Sequence, residues 1–215
     1  MMMWVLGLLA ALGLARAAQV LAARYRLNRL QIYGFPDHLQ KRVAKTYPHL
    51  TPDERSVVIE GLRQFFAVSI QARGRRVAMP SQAVDEAWHE FILSTRAYRR
   101  FCLRIVGRFL HHTPAEAMRS PRDAQDGIRR AWAIACRQEG IDPRKPNRLP
   151  LLFALDSRLK IPGGFVYSLN CGLGAAMAGT FCAGHIGCSS GGGCAGDSGG
   201  DGDGSGDGGG GCGGD

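Results

Sequence analysis

The chain has 215 residues, of which 45% are hydrophobic, and a formal net charge of +9. This length, with its low-complexity end, leaves room for one compact domain of about 130 residues and excludes several independent cores. Residues 1–170 carry 27 basic and 13 acidic side chains, or +14, whereas residues 171–215 carry five Asp and no Lys or Arg. This basic excess suits nucleic acid or anionic lipid, and the apolar start of the chain favours lipid headgroups; the alternative is a solvated basic surface without a specific partner.

The sequence begins with an apolar segment that continues past Arg16 to Ala23. About 20 residues span a bilayer, so residues 1–23 are predicted to form a single transmembrane anchor. Basic residues follow this segment and none precedes it, which by the positive-inside rule predicts an inner (plasma) membrane protein with its soluble domain in the cytoplasm. The alternative is a signal peptide that is cleaved at Ala15-Arg16-Ala17, followed by export. The basic residues are Arg16, Arg24, Arg26 and Arg29.

Residues 24–34 are predicted to form a juxtamembrane helix, and residues 35–170 an all-α domain that is a compact bundle of five or six helices. Thr51-Pro52-Asp53-Glu54 combines a capping residue, a proline and an acidic residue, which together mark a helix start. Only residues 164–169 carry a weak strand pattern. The predicted helices of the domain cover about residues 37–46, 52–72, 82–94, 96–106, 121–138 and 151–159.

The stretch 84–112 holds the densest group of polar and aromatic side chains in the body. On the predicted helix 82–94, Asp85 and His89 are four residues apart and so lie about 40° apart around the axis. Both stand at one edge of the apolar stripe. They can therefore share a hydrogen-bonding partner or a metal ion.

A second predicted helix, 96–106, buries Cys102 among apolar residues, and Gly107 is expected to end it. His111 and His112 follow on a connecting segment. If the two helices form a hairpin, one of these imidazoles returns to the edge that carries the carboxylate and the first imidazole. The Cys102 thiol faces the same gap in that arrangement.

The run V-D-x-x-W-H, followed by Phe-Cys, a glycine and a His-containing turn, resembles the bacterial branch of the glycine-rich domain-containing proteins. Plant members of that family carry a similar VDxxWH segment. The likeness is close over residues 80–112 and loose over the tail, and it implies a shared site without a settled reaction. Thr113 stands where many relatives have an acidic residue. The matching positions are Val84, Asp85, Trp88, His89, Tyr98, Cys102, Gly107 and His112.

Three interpretations of these residues remain open. In the first, a hydrogen bond between Asp85 and His89 only orients the helix. In the second, Asp85, His89 and His112 (or His111) bind zinc or non-haem iron, since two imidazoles and a carboxylate suit these metals. In the third, Cys102 is a catalytic nucleophile with His89 as its base and Asp85 as the orienting group.

Glycine supplies 20 of the last 45 residues, so residues 171–215 are interpreted as a Cys/Gly/Asp-rich low-complexity tail. Its end, after Ile186, lacks bulky side chains and is predicted to be disordered. Its thiols and one imidazole form a short-spaced set that suits zinc or another soft transition metal. The alternative is a flexible tail whose cysteines are reduced or form adventitious disulfides. The expected tail ligands are Cys182, His185, Cys188 and Cys194.

Together these features predict a membrane-anchored helical protein of unassigned activity. It is expected to bind a transition metal or a protein partner through the edge formed by Asp85, His89 and His112 and through the Cys-rich tail. One alternative is a metal- or Cys-dependent hydrolytic enzyme that uses Asp85, His89 and Cys102. Another is a basic nucleic-acid-binding protein, although no recognition signature accompanies the scattered Arg residues.

Overall fold

The computed structural model describes residues 2–112, 121–169, 180–182 and 186. Over these residues the chain is helical, which confirms the predicted all-α bundle. The elements in chain order are α1 (Met2–Gln31), α2 (Asp37–Thr46), α3 (Pro52–Gln71), α4 (Gln82–Leu93), α5 (Thr95–Phe101), a π-helical turn (Cys102–Val106), α6 (Pro121–Gln138), α7 (Leu151–Arg158), β1 (Val166–Ser168) and β2 (Thr180–Cys182).

Helix α1 runs without interruption from the apolar segment through the juxtamembrane residues to Gln31, as expected for a juxtamembrane helix that continues the anchor. No Gly or Pro occurs between Gly13 and Gly34, so nothing interrupts its backbone hydrogen bonds at residue 23 or 24. Its last part packs on the core through Leu27 and the fully buried Leu30. Its first part is exposed. The same helix therefore joins the apolar segment rigidly to the domain.

Helix α3 is the centre of the bundle and contacts α1, α2, α4, α6 and α7. Thr51 caps its start in the predicted capping box with Glu54. At Gly61 a Cβ atom would lie 2.7 Å from a Leu155 methyl and 2.8 Å from a Val84 methyl, so the missing side chain lets α4 and α7 approach. The aromatic side chains around α3 form one cluster, which contains Phe65, Phe66, Trp88, Phe91, Tyr98 and Phe101.

The N-terminus of α4 is held by a buried carboxylate from α7. Asp156 is only 2% exposed. It accepts hydrogen bonds from the Ser81 hydroxyl at 2.6 Å, the Gln82 amide at 2.6 Å and the Ala83 amide at 3.3 Å. It also accepts one from the Phe165 amide at 3.0 Å. Negative charge at the positive end of a helix is stabilising, and here it joins α7, α4 and the segment before β1.

The predicted helix 96–106 consists of two parts, because α5 widens into the π-helical turn after Phe101. The turn ends in a hydrogen bond from the Gly107 amide to the Cys102 carbonyl at 2.8 Å. Gly107 has φ of 85°, as its predicted role at a helix end requires. A Cβ atom there would collide with the guanidinium of Arg26, whose flexible side chain would have to move.

A short parallel sheet pairs β1, which lies in the segment 164–169 that carried the weak strand pattern, with β2, which lies in the Cys/Gly/Asp-rich tail. Tyr167 of β1 pairs with Phe181 of β2, and their ring centroids are 5.5 Å apart. Phe165 adds a second ring contact to Phe181, at 6.0 Å. These ring contacts of the half-exposed Phe181 let the chain form a strand beyond residue 171, where the glycine-rich composition begins. The rest of the tail lies outside the described residues.

We expect Asp156→Asn to lower the free energy of unfolding by about 3 kcal/mol, because a neutral amide weakens several charge-assisted hydrogen bonds and turns an N–H group towards amide donors. Urea denaturation followed by circular dichroism measures this change. Asp142→Asn is the matched control, since Asp142 is an exposed carboxylate that accepts one local hydrogen bond, from the Arg144 amide. Equal loss in both variants would show that Asp156 has no special role.

Candidate metal centre

Asp85 and His89 lie one helical turn apart on α4. Asp85 Oδ2 is 3.6 Å from His89 Nε2, a distance that side chains at i and i+4 reach readily. The Asp85 side chain is 24% exposed and that of His89 is 48% exposed. The pair therefore stands at the rim of the core, where the helical periodicity places it.

His112 completes a cluster of three side chains. Its Nε2 lies 3.0 Å from Asp85 Oδ1 and 3.0 Å from His89 Nε2. One imidazole nitrogen carries at most one hydrogen, so a single N–H cannot make linear bonds to both neighbours. The His112 ring packs edge-on against the Trp88 ring, with centroids 4.7 Å apart. One side of the cluster is thus apolar, while His89 faces solvent.

Tyr98 connects α4 to the segment that carries His112. Its buried hydroxyl accepts a hydrogen bond from Trp88 Nε1 at 3.1 Å and donates one to the Leu110 carbonyl at 2.7 Å. Trp88 precedes His89, and Leu110 lies two residues before His112. The sequence predicted that Tyr98 lies in the core but did not predict that its hydroxyl connects the two segments. The signal for this connection was that a buried phenol hydroxyl needs hydrogen-bonding partners.

The spacing of the three side chains suits a single bound ion. Each offers one ligand atom, and these atoms all lie within 4.8 Å of one another. Two ligand atoms that bind a tetrahedral zinc ion at about 2.0–2.1 Å are about 3.3 Å apart. His112 Nε2 lies 3.0 Å from His89 Nε2 and 3.0 Å from Asp85 Oδ1, close to that value, while the 3.6 Å contact of His89 Nε2 is made to the other carboxylate oxygen, Oδ2. A metal held this way keeps at least one coordination position for water or another ligand.

Two residues that the sequence offered for this site lie elsewhere. His111 is exposed, and its ring contacts the Phe109 ring at a centroid distance of 4.8 Å. Cys102 is fully buried. Burial raises the pKa of its thiol, against the opposing effect of hydrogen bonds with Leu110 and Tyr98. Within the described part of the chain no hydrogen bond joins Cys102 to His89, so these contacts do not assemble the predicted nucleophile and base.

The tail ligand set is largely outside the described residues, since His185, Cys188 and Cys194 all lie there. Cys182 is described, and it is disulfide-bonded. A metal ligand must be a thiolate, which a disulfide sulfur is not. In this redox state Cys182 is therefore not the thiolate ligand that the spacing suggested.

We expect the Cys102 thiol to react with iodoacetamide at least about tenfold more slowly in the folded protein at pH 7.5 than in urea, because burial removes access and the raised pKa reduces the thiolate fraction. Peptide-resolved mass spectrometry measures the two rates. Cys136 is the internal control. Burial, and to a smaller extent the negative charge of Glu139, raises the pKa of its thiol to about 12. A fast reaction of Cys102 in the folded chain would restore the nucleophile hypothesis.

Comparison with known proteins identifies the family of the chain without an activity. No curated protein and no solved structure matches it. A family model described as UCP032817-like matches residues 25–186. The match covers most of the chain, including α2–α7, both strands and the three clustered side chains, and it excludes the apolar part of α1. The chain therefore belongs to the UCP032817-like family.

Proposed function

We propose that this protein is membrane-anchored and binds a divalent transition metal, zinc or iron(II), through Asp85, His89 and His112. The observation that carries the proposal is the convergence of two imidazoles and a carboxylate, with His112 Nε2 3.0 Å from both Asp85 Oδ1 and His89 Nε2. Two imidazoles and one carboxylate form the ligand set of many zinc and non-haem iron sites. Trp88 and Tyr98 hold two of the ligands in place without a metal, which lowers the ordering cost of binding.

The group that fills the open coordination position decides between two uses of the site. A side chain from a protein partner that fills it makes the metal a binding element, and we favour this use. A water molecule in that position is activated by the metal, and the site is then hydrolytic. The partly exposed His89 lets either group approach from solvent. The resemblance to the glycine-rich domain-containing proteins supports a shared site at these positions and leaves both uses open.

Membrane insertion of α1 follows from its exposed apolar side chains. Trp4 is 85% exposed, and four leucines of the first half of the helix are more than half exposed. Leaving a side chain of this kind in water costs about 1.5–3 kcal/mol. Within the described residues α1 is long and apolar enough to cross a membrane or to be a signal sequence. The leucines are Leu8, Leu9, Leu12 and Leu14.

The anchor is only marginally apolar. The eight Leu and Val residues between Val5 and Leu21 favour insertion by roughly 3–4 kcal/mol, while Arg16 costs about 3 kcal/mol near a bilayer centre. Attraction of the basic body to anionic lipid adds to this attachment. We propose that the domain lies on the cytoplasmic side, as the following basic residues favour. The disulfide at Cys182 is the observation that favours export instead.

We expect isothermal titration calorimetry with Zn²⁺ to show that His112→Ala and Asp85→Asn each weaken binding by at least about tenfold, since each removes one of three ligands. Affinity should fall on acidification, because ligating imidazoles must be deprotonated. Zinc at 100 times its dissociation constant should stabilise the fold by about 2.7 kcal/mol.

His111→Ala is the matched control for the metal site, since it removes the neighbouring imidazole, which lies outside the cluster. The full-length chain with Cys182, Cys188 and Cys194 replaced by serine separates this site from metal bound by the tail. Loss of all zinc binding in that triple variant would assign the metal to the tail and disprove the proposed centre.

For the anchor, we expect the full-length chain to keep its calculated mass of 23.2 kDa and to stay in the membrane pellet after alkaline extraction. A C-terminal reporter that is active only in the cytoplasm should be active. Replacing Leu9 and Leu12 by Asp should release the protein into the supernatant, because each charge adds about 2.5–3.5 kcal/mol to insertion. A soluble chain that starts at Ala18 would instead establish cleavage of a signal peptide.

A further inference from the structure

A basic pocket lies where the end of α1 meets α5 and the π-helical turn. Its volume is about 270 Å³, slightly below the range of pockets that enclose a drug-sized ligand. It therefore fits a small group better than a large substrate. Its lining combines guanidinium groups with a phenol and apolar side chains, among them Arg29, Arg100, Arg104, Tyr33, Phe101 and Ile105.

The three arginines of this pocket have no carboxylate within ion-pair distance among the residues that the structure describes. Arg42, by contrast, lies 2.6 Å from Glu86, and Arg63 lies 3.0 Å from Glu60. All three side chains are exposed, and Arg29 also donates a hydrogen bond to the Tyr25 hydroxyl at 3.2 Å. A bound anion reduces the repulsion between neighbouring cations. Guanidinium groups bind phosphate oxygens through paired hydrogen bonds.

Tyr33 adds a neutral donor at the same place. Burial raises the pKa of its hydroxyl, against the opposing effect of the Arg100 charge. The phenol therefore stays protonated and can donate a hydrogen bond to an anionic oxygen. Phe101 and Ile105 supply an apolar wall beside these polar groups. Such a mixture of cations and apolar surface suits an amphipathic anion better than a free inorganic ion.

The position of the pocket along α1 specifies the source of that anion. Arg29 lies six residues after Ala23 in the same continuous helix, or about 9 Å along its axis. The headgroup layer of a bilayer begins where the apolar segment ends and is about 5–8 Å thick. The pocket is thus held next to the headgroup layer, and α1 has no break that could move it away.

We propose that this pocket binds the phosphate group of an anionic phospholipid, with Arg29, Arg100 and Arg104 as the phosphate ligands and Tyr33 as a further donor. Headgroup binding adds to the attachment that the apolar segment provides. This inference rests on the proposed insertion of α1. The metal centre does not enter it.

The test is native mass spectrometry of the full-length protein, released from neutral detergent micelles that contain equimolar phosphatidylglycerol and phosphatidylcholine. We expect at least fivefold more phosphatidylglycerol than phosphatidylcholine adduct on the wild-type chain. The double variant Arg100→Gln and Arg104→Gln should reduce this ratio to about one. Lipid binding is measured in micelles and does not require insertion into a bilayer. Absence of the lipid preference can therefore be distinguished from failure of α1 to insert, which the extraction experiment tests.

Arg96→Gln with Arg99→Gln is the matched control, since it removes two positive charges from α5, next to the pocket but outside its lining. It should keep the lipid preference. Equal adducts of both lipids on the wild type, or equal loss in both double variants, would overturn the proposal. Inorganic phosphate that displaces phosphatidylglycerol at equal concentration would reject a lipid as the source. The wild-type ratio decides the question even where a variant does not fold.

Discussion

The arrangement of this protein depends on one buried charge, the Asp156 carboxylate at the N-terminus of α4. Four donors converge on it, from Ser81 and from the amides of Gln82, Ala83 and Phe165. Because a buried carboxylate without these partners is costly, α7 cannot shift relative to α4 without losing several charge-assisted bonds at once. This single group therefore sets the start and the direction of the helix that carries the candidate metal ligands.

Precise placement of the ligands then requires only one more polar connection. Tyr98 joins Trp88 of α4 to the Leu110 carbonyl, and the short segment after Leu110 brings His112 to Asp85 and His89. The two hydrogen bonds of the Tyr98 hydroxyl are buried, so water does not compete with them. The three ligand side chains lie at the rim, where a metal can enter, while the groups that position them lie inside.

The proposed metal centre and the proposed lipid pocket lie on either side of α5. Ala97 and Phe101 face the pocket against α1, whereas Tyr98 points to α4 and to the segment before His112. Such a division follows from helical periodicity, since neighbouring residues point in different directions. A soluble ligand at one site and a lipid at the other can therefore be bound by the same short helix without direct competition.

The sequence by itself determined the helices, the caps and the helical face that Asp85 and His89 share, because these depend on local spacing and on proline and glycine conformations. It also indicated the apolar segment and the uneven charge. The choice of His112 over His111, the separation of Cys102 from His89 and the burial of Asp156 were decided by tertiary structure alone. Each depends on where a distant segment packs, and residue spacing along one helix carries no information about that.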